Sequence, residues 1–186
     1  MALDMLLIGV IGVIVLVVLF LIFAFNGLVS LRARVDNAWA QIDVQLTKRY
    51  ELVPNLVETV KGYAKHEKEV FENVTKARSA WAGAQTVGEK AKADASFAGA
   101  LKSLIAVAEN YPQLRANEQF KLLQEQLDGI ESKVAYARQF YNDSVLEYNT
   151  RIQTIPDAII AGPLGFGPRE YFKAEEGARE AVKVKF

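Results

Sequence analysis

The chain has 186 residues, with 22 Lys plus Arg set against 22 Asp plus Glu, a formal net charge of +0. That balance leaves no overall basic field to hold nucleic acid and no acidic tail. Cysteine is absent and His66 is the only histidine, which excludes a disulfide framework, a thiolate metal site, a cysteine nucleophile and a His-rich zinc site.

The first element is apolar. Met5 to Phe25 reads MLLIGVIGVIVLVVLFLIFAF, without a charged residue. A bilayer core of about 30 Å is crossed by about 20 helical residues, so the run predicts a transmembrane anchor over residues 1–27. A cleaved signal peptide carries Lys or Arg before a shorter apolar run and small residues at its cleavage site. Here Asp4 is the only charged side chain before the run, and the exit reads Ala24-Phe25-Asn26-Gly27. Arg32 and Arg34 lie just beyond the span, with Lys48 and Arg49 following. The positive-inside rule then puts the following domain in the cytoplasm and the N-terminus outside. Arg32 and Arg34 are also candidate contacts for anionic headgroups.

Residues 28–154 read as a helical bundle. A seam in steps of three and four runs through Trp39, Ile42, Leu46, Arg49, Val53, Leu56, Val60, Tyr63, Glu67, Val70, Val74, Ala77 and Trp81. Such a period lays one stripe along a helix and suits near-parallel packing. A second seam runs from Phe120 through Leu123, Leu127, Ile130, Val134, Ala137, Tyr141 and Ser144 to Tyr148, and Phe97, Leu101, Leu104 and Ala108 mark a shorter helix between the two. The fold class is therefore all-α: a transmembrane helix, then an antiparallel up-and-down bundle of three or four long helices. Ala82 to Gly88 reads as a loop, and Tyr111-Pro112 as a break. Pro54 either kinks one long helix, as the unbroken heptad phase argues, or opens a new helix after a turn. Element lengths argue for the second, which gives four segments that pack up and down. From Ile155 to Phe186 the chain is loop-rich, and its Ile159, Ile160, Leu164 and Phe166 are expected to pack on the bundle. The last residues, 181–186, alternate like a strand or an extended tail.

The order of residues resembles the LemA family. The likeness is carried by Arg34-Val35, Ala38-Trp39, Gln41-Ile42-Asp43-Val44-Gln45-Leu46, then Arg49-Tyr50, Leu52-Val53-Pro54-Asn55-Leu56-Val57-Glu58 and Gly62-Tyr63-Ala64, and later by Tyr148-Asn149, Ile152-Gln153 and Ile159-Ile160-Ala161. The Pro-Asn-Leu-Val-Glu block is the more specific part, because amphipathicity does not explain its order. The resemblance implies a single-pass protein of the bacterial inner membrane with a helical bundle. It implies no agreed catalytic activity. Some relatives are linked to building magnetosome membranes.

No catalytic set is legible. His66-Glu67 lacks the second histidine of a zincin, Gly165-Phe166-Gly167-Pro168 lacks the ending of a phosphate loop, and no nucleophile elbow occurs. His66 reads as an exposed residue of a Lys- and Glu-rich helix. Two seam positions are charged, Arg49 and Glu67. They either pair across the bundle, since buried charge is costly alone, or reach water at bundle ends through their stems, the reading favoured from sequence. Pro54 and Asn55 are candidate bend or contact residues. The expected function is a membrane-anchored scaffold or adaptor acting on membrane or cytoplasmic proteins, or on copies of itself. It is expected to lack catalysis, cofactor, metal and nucleic-acid partner. The alternative is membrane remodelling or anionic-lipid sensing.

Overall fold

The structure, a computed structural model, describes residues 2–173; the alternating stretch 181–186 lies outside that range. Every regular element among the described residues is a helix: α1 (Ala2–Lys61), α2 (Lys68–Gly83), α3 (Val87–Glu109), α4 (Pro112–Ala116), α5 (Glu118–Arg151) and α6 (Ala158–Ala161). They divide into two compact units, residues 40–141 with 170–173 and residues 2–39 with 142–169. Both α1 and α5 contribute to each.

In the unit of residues 40–141 and 170–173, the apolar seams become the core. Ile42, Leu46, Val53, Leu56 and Val60 of α1 are buried, as are Phe97, Leu101, Leu104 and Ala108 of α3 and every seam residue of α5 from Phe120 to Tyr141. Pro54 does not end α1. Proline in a helix interior costs about 3 kcal/mol, for the lost hydrogen bond and the ring clash. Val53, Leu56, Val57 and Val60 around it are all buried, and each buried aliphatic side chain stabilises by about 1.5–3 kcal/mol. Packing on that face therefore outweighs the proline. The break falls after Lys61, where the Ala64 N–H donates back to the Val60 carbonyl at 2.9 Å. Four long helical segments result, but their first turn is at residues 62–67 and not at Pro54. The heptad slips there: Tyr63 is exposed, and Phe71 is buried where the seam predicts Val70.

The ends of this unit are capped by side chains. Thr86 opens α3 with a reciprocal box: its hydroxyl accepts from the Glu89 N–H at 3.1 Å, and the Glu89 carboxylate accepts from the Thr86 N–H at 3.0 Å. Pro112 starts the single turn of α4. Asn117 then accepts from the Phe120 N–H at 3.0 Å, opening α5, while its amide donates to the Tyr63 hydroxyl at 3.1 Å.

In the unit of residues 2–39 and 142–169, α1 has two characters. Each large apolar side chain from Leu3 to Phe23 is exposed. A helix apolar all round, its large side chains left exposed by the described residues, has hydrocarbon as its natural solvent. It is the one helix among the described residues long and apolar enough to cross a membrane. From Ala24 a buried stripe begins, through Leu28, Val35 and Ala38, joined by Val145, Tyr148 and Ile152 of α5. The segment after α5 is tied back to it. The Tyr148 hydroxyl donates to the Gly167 carbonyl at 3.0 Å. The Asn149 amide holds the Arg169 backbone at two points, accepting from its N–H at 2.8 Å and donating to its carbonyl at 2.9 Å. Phe25 meets Phe166 edge-on at 5.8 Å. Gly165, at φ +76°, reverses the chain between α6 and Phe166, in a conformation that a Cβ would strain. Phe166 is buried as expected, whereas Ile159 and Leu164 are 68% and 49% exposed. A single turn of helix has too few faces to bury them all, and Ala161 occupies the inner one.

Thr86→Ala is expected to lower unfolding free energy by about 1 kcal/mol, the usual worth of an N-cap, read by denaturant titration of the full chain in micelles. Hydrogen bonds from the Thr86 and Gln85 N–H groups hold the Glu89 carboxyl below the usual glutamate range. A depressed folded pKa means a contribution present above the ordinary value and lost as pH falls through the folded one. Glu89→Gln is therefore expected to flatten the acid limb of the stability profile below about pH 4.

Candidate functional site

The α1 seam carries one cation into the core. Arg49 is fully buried, and so is its partner on α3, Asp94, at 1% exposure. One Asp94 oxygen pairs with Arg49 and the other with Arg138 of α5. Arg49 also donates to Glu131 of α5 at 2.5 Å. Glu131 and Arg138 are seven residues apart on one helix, hence on one face. Two guanidiniums and two carboxylates make a group of zero formal charge. The Arg49 guanidinium stands 5.4 Å from the Phe97 ring centre, and that of Arg138 4.9 Å from Phe172, distances at which an aromatic face attracts a cation.

Aromatic packing surrounds this group. Tyr50 stacks on Trp81 of α2 at 3.9 Å and packs on Phe97 at 4.3 Å. Its buried hydroxyl has no hydrogen-bond partner among the described residues. Burial pushes its ionisation upward, and the nearby Arg49 charge only partly opposes that. Lys90 pairs with Asp43 and lies 4.9 Å above the Trp81 ring. Side chains of all four long helices thus meet around Arg49. The two carboxylates of the network are each paired with a guanidinium, so the arrangement locks helices together. Among the described residues no group of three His, Asp or Glu side chains is placed to hold a metal ion.

The residues singled out from sequence end in different places. Arg49 does not reach water as expected: its seam position points inward, where acidic partners from two other helices await it. Glu67 sits half-buried just before α2, accepting a long 3.5 Å contact from the Tyr111 hydroxyl. Pro54 lies within α1, and Asn55 is exposed, its carbonyl accepting from the Thr59 hydroxyl at 2.7 Å. Asn55 also lines a groove of about 470 Å³ with Leu52 of α1 and with Gln126, Gly129 and Lys133 of α5. In the other unit Arg32 is exposed, while Arg34 pairs with Glu147 at 2.8 Å. His66 is exposed in the α1–α2 turn and not in a helix. Asp94, Glu131 and Arg138 escaped the sequence reading. The signal for Asp94 was present: one step of three back from Phe97 along its seam lands on it.

An exposed apolar helix joined to a charge-locked bundle defines a membrane-associated helical protein. The sequence profile of the LemA family matches residues 38–186, and the chain belongs to that family. It is 35% identical over 81 residues to magnetosome proteins MamQ 1 and MamQ 2 of Paramagnetospirillum magneticum. To magnetosome protein MamQ of Magnetospirillum gryphiswaldense it is 34% identical over 80 residues. These matches cover 44% and 43% of this chain, but only 30% and 29% of those relatives.

Asp94→Ala leaves Arg49 buried without its main partner, a loss expected at about 3–5 kcal/mol. Arg49→Met combined with Asp94→Leu is expected to recover most of it, because Arg138 and Glu131 are partly exposed and can turn to water. Chemical denaturation of the full chain in micelles measures both; a loss below about 1 kcal/mol for Asp94→Ala, the range of a surface pair, would remove the network's claim to importance. Tyr50 gives a second test. Its raised folded pKa means stability fully present below the ordinary tyrosine value and lost as pH climbs from about 10 toward the folded one. Tyr50→Phe is expected to flatten that alkaline loss, without loss of stability at neutral pH.

Proposed function

We propose that the protein is a membrane-anchored scaffold or adaptor that works by binding other proteins, or copies of itself, and not by catalysis. In this reading α1 holds it in a bacterial inner membrane, with the helical domain in the cytoplasm. The observation that carries it is a stripe on α5. Leu122 and Tyr136 are two heptads apart, on one face, and remain 53% and 75% exposed. Gly129 lies midway between them and opens the groove beside Asn55. Exposed tyrosine is a common anchor in protein interfaces. The inner polar groups support the same reading, since they bind helix to helix. The likeness to proteins named for the magnetosome is compatible with this reading. Headgroup sensing by Arg32 and Arg34 has less support, because Glu147 neutralises Arg34.

The test places a photo-crosslinking residue at Tyr136 in the full chain, in native membranes, with Ser96 on α3 as control. Protein adducts at 136, reduced at least about tenfold by Leu122→Asp, are expected for an anchor worth more than about 1.4 kcal/mol. Adducts at 136 no stronger than those at 96 would overturn the reading. Mass spectrometry of the adduct separates a partner from a second copy.

A further inference from the structure

The anchor helix is not the whole of the apolar surface in its unit. Leu21, Ile22 and Phe25 of α1, with Ile159, Ile160 and Leu164 of the segment around α6, line a groove of about 420 Å³. Ile155 is 82% exposed nearby in sequence, and it, Ile159 and Leu164 are apolar side chains that the described residues leave uncovered. We propose that residues 155–166 insert into the interfacial layer of the bilayer, with lipid acyl chains filling this groove. This is a second membrane contact, and it rests on the reading that α1 spans the membrane.

Three observations select lipid as the occupant. The first is continuity. Leu21 to Phe25 is the last turn of the continuous apolar run, about 6 Å of helix, so whatever fills a groove built on it stands at the same depth. Amphipathic segments lying on a membrane bury about 5–10 Å into that boundary. The second is charge. From Ile155 to Pro168 the only ionisable residue is Asp157, which is buried and paired with Arg151 at 2.6 Å. No exposed charge resists insertion. The third is the backbone. A chain entering hydrocarbon must satisfy its own N–H groups. The N–H groups of Ala158 to Ala161 and of Leu164 to Phe166 all donate to carbonyls between residues 154 and 162, and Pro163 has none to satisfy. Those of Ile155, Asp157 and Gly162 are not in this set, but a water-exposed loop needs neither so much internal hydrogen bonding nor this lack of charge. A groove for a cytoplasmic protein would be expected to carry a polar rim, whereas here its α1 wall continues directly into the span.

The natural sequence has no cysteine, so single labels report cleanly. Ile159→Cys and Leu164→Cys, both at exposed positions, are spin-labelled in the full chain, in nanodiscs of phosphatidylethanolamine and phosphatidylglycerol. Phe23→Cys marks the span and Tyr136→Cys marks water. The expected result is oxygen-over-nickel accessibility at 159 and 164 resembling that at 23, with adducts from acyl-chain diazirine lipid in residues 155–166. Ile159→Asp should reduce those adducts at least about tenfold, since a charged side chain is disfavoured in the bilayer. Accessibility at 159 and 164 matching 136, with 23 in lipid, overturns the inference alone. Water access at 23 as well overturns the anchor reading beneath it. Spin–spin broadening between copies at 159, without lipid adducts, shows a protein occupant and overturns it too.

Discussion

The bundle depends on one buried ion pair. Arg49 can lie in the core only where Asp94 meets it, since an unpaired charge left there costs several kcal/mol. An apolar seam of Leu, Val and Ile tolerates sliding by a heptad, because one aliphatic contact replaces another. A seam with a single arginine, facing a seam with a single aspartate, does not. Any other register strands both charges. The pair therefore does for α1 and α3 what a polar core residue does in a coiled coil: it gives up some stability to exclude alternatives. Glu131 and Arg138 extend the constraint to α5, and the Tyr50–Trp81 stack extends it to α2.

Small residues make room for this arrangement. α3 brings Ala91, Ala93 and Asp94 inside together, so the helix carrying the short aspartate side chain has little bulk around it. Phe97, one turn further, serves both neighbours: its face meets the Arg49 guanidinium and its ring packs on Tyr50. The aromatic wall keeps water from the ion pair, which strengthens its electrostatics and raises the penalty for breaking it. The same dryness leaves the Tyr50 hydroxyl without a partner among the described residues and drives its ionisation upward. Both effects have one physical source, the low polarity of the space where the four helices meet.

Much of this was legible in the sequence, and the failures have physical reasons. The α5 seam, including its last members Ser144 and Tyr148, is buried throughout, because a long helix with an unbroken period has only one face to hide. The uncharged run announced itself by length. Pro54 misled because local propensity is weaker than the packing of four flanking aliphatic residues, and Gly62 gave a quieter signal at the real break. Arg49 was expected to reach water because sequence shows a charge but not its partner, and Asp94 lies forty-five residues away in an alanine-rich stretch. Ile159 and Leu164 were expected inside on hydrophobicity alone. In a soluble protein that is a fair inference, but it fails where the adjoining solvent is itself apolar.

That last failure bears on function. In a protein with two solvents, an exposed isoleucine has two meanings, and neighbouring charge separates them. Leu122 and Tyr136 stand on a helix also bearing Lys121, Glu125, Asp128 and Lys133, so their surroundings are aqueous and their exposure invites a protein. Ile159 and Leu164 stand in a stretch whose one carboxylate is neutralised internally, so their exposure invites lipid. In the proposed readings the same hydrophobic effect would serve assembly on one surface and attachment on another. The buried charges, held within the bundle, leave both surfaces to be specified by what lies outside it.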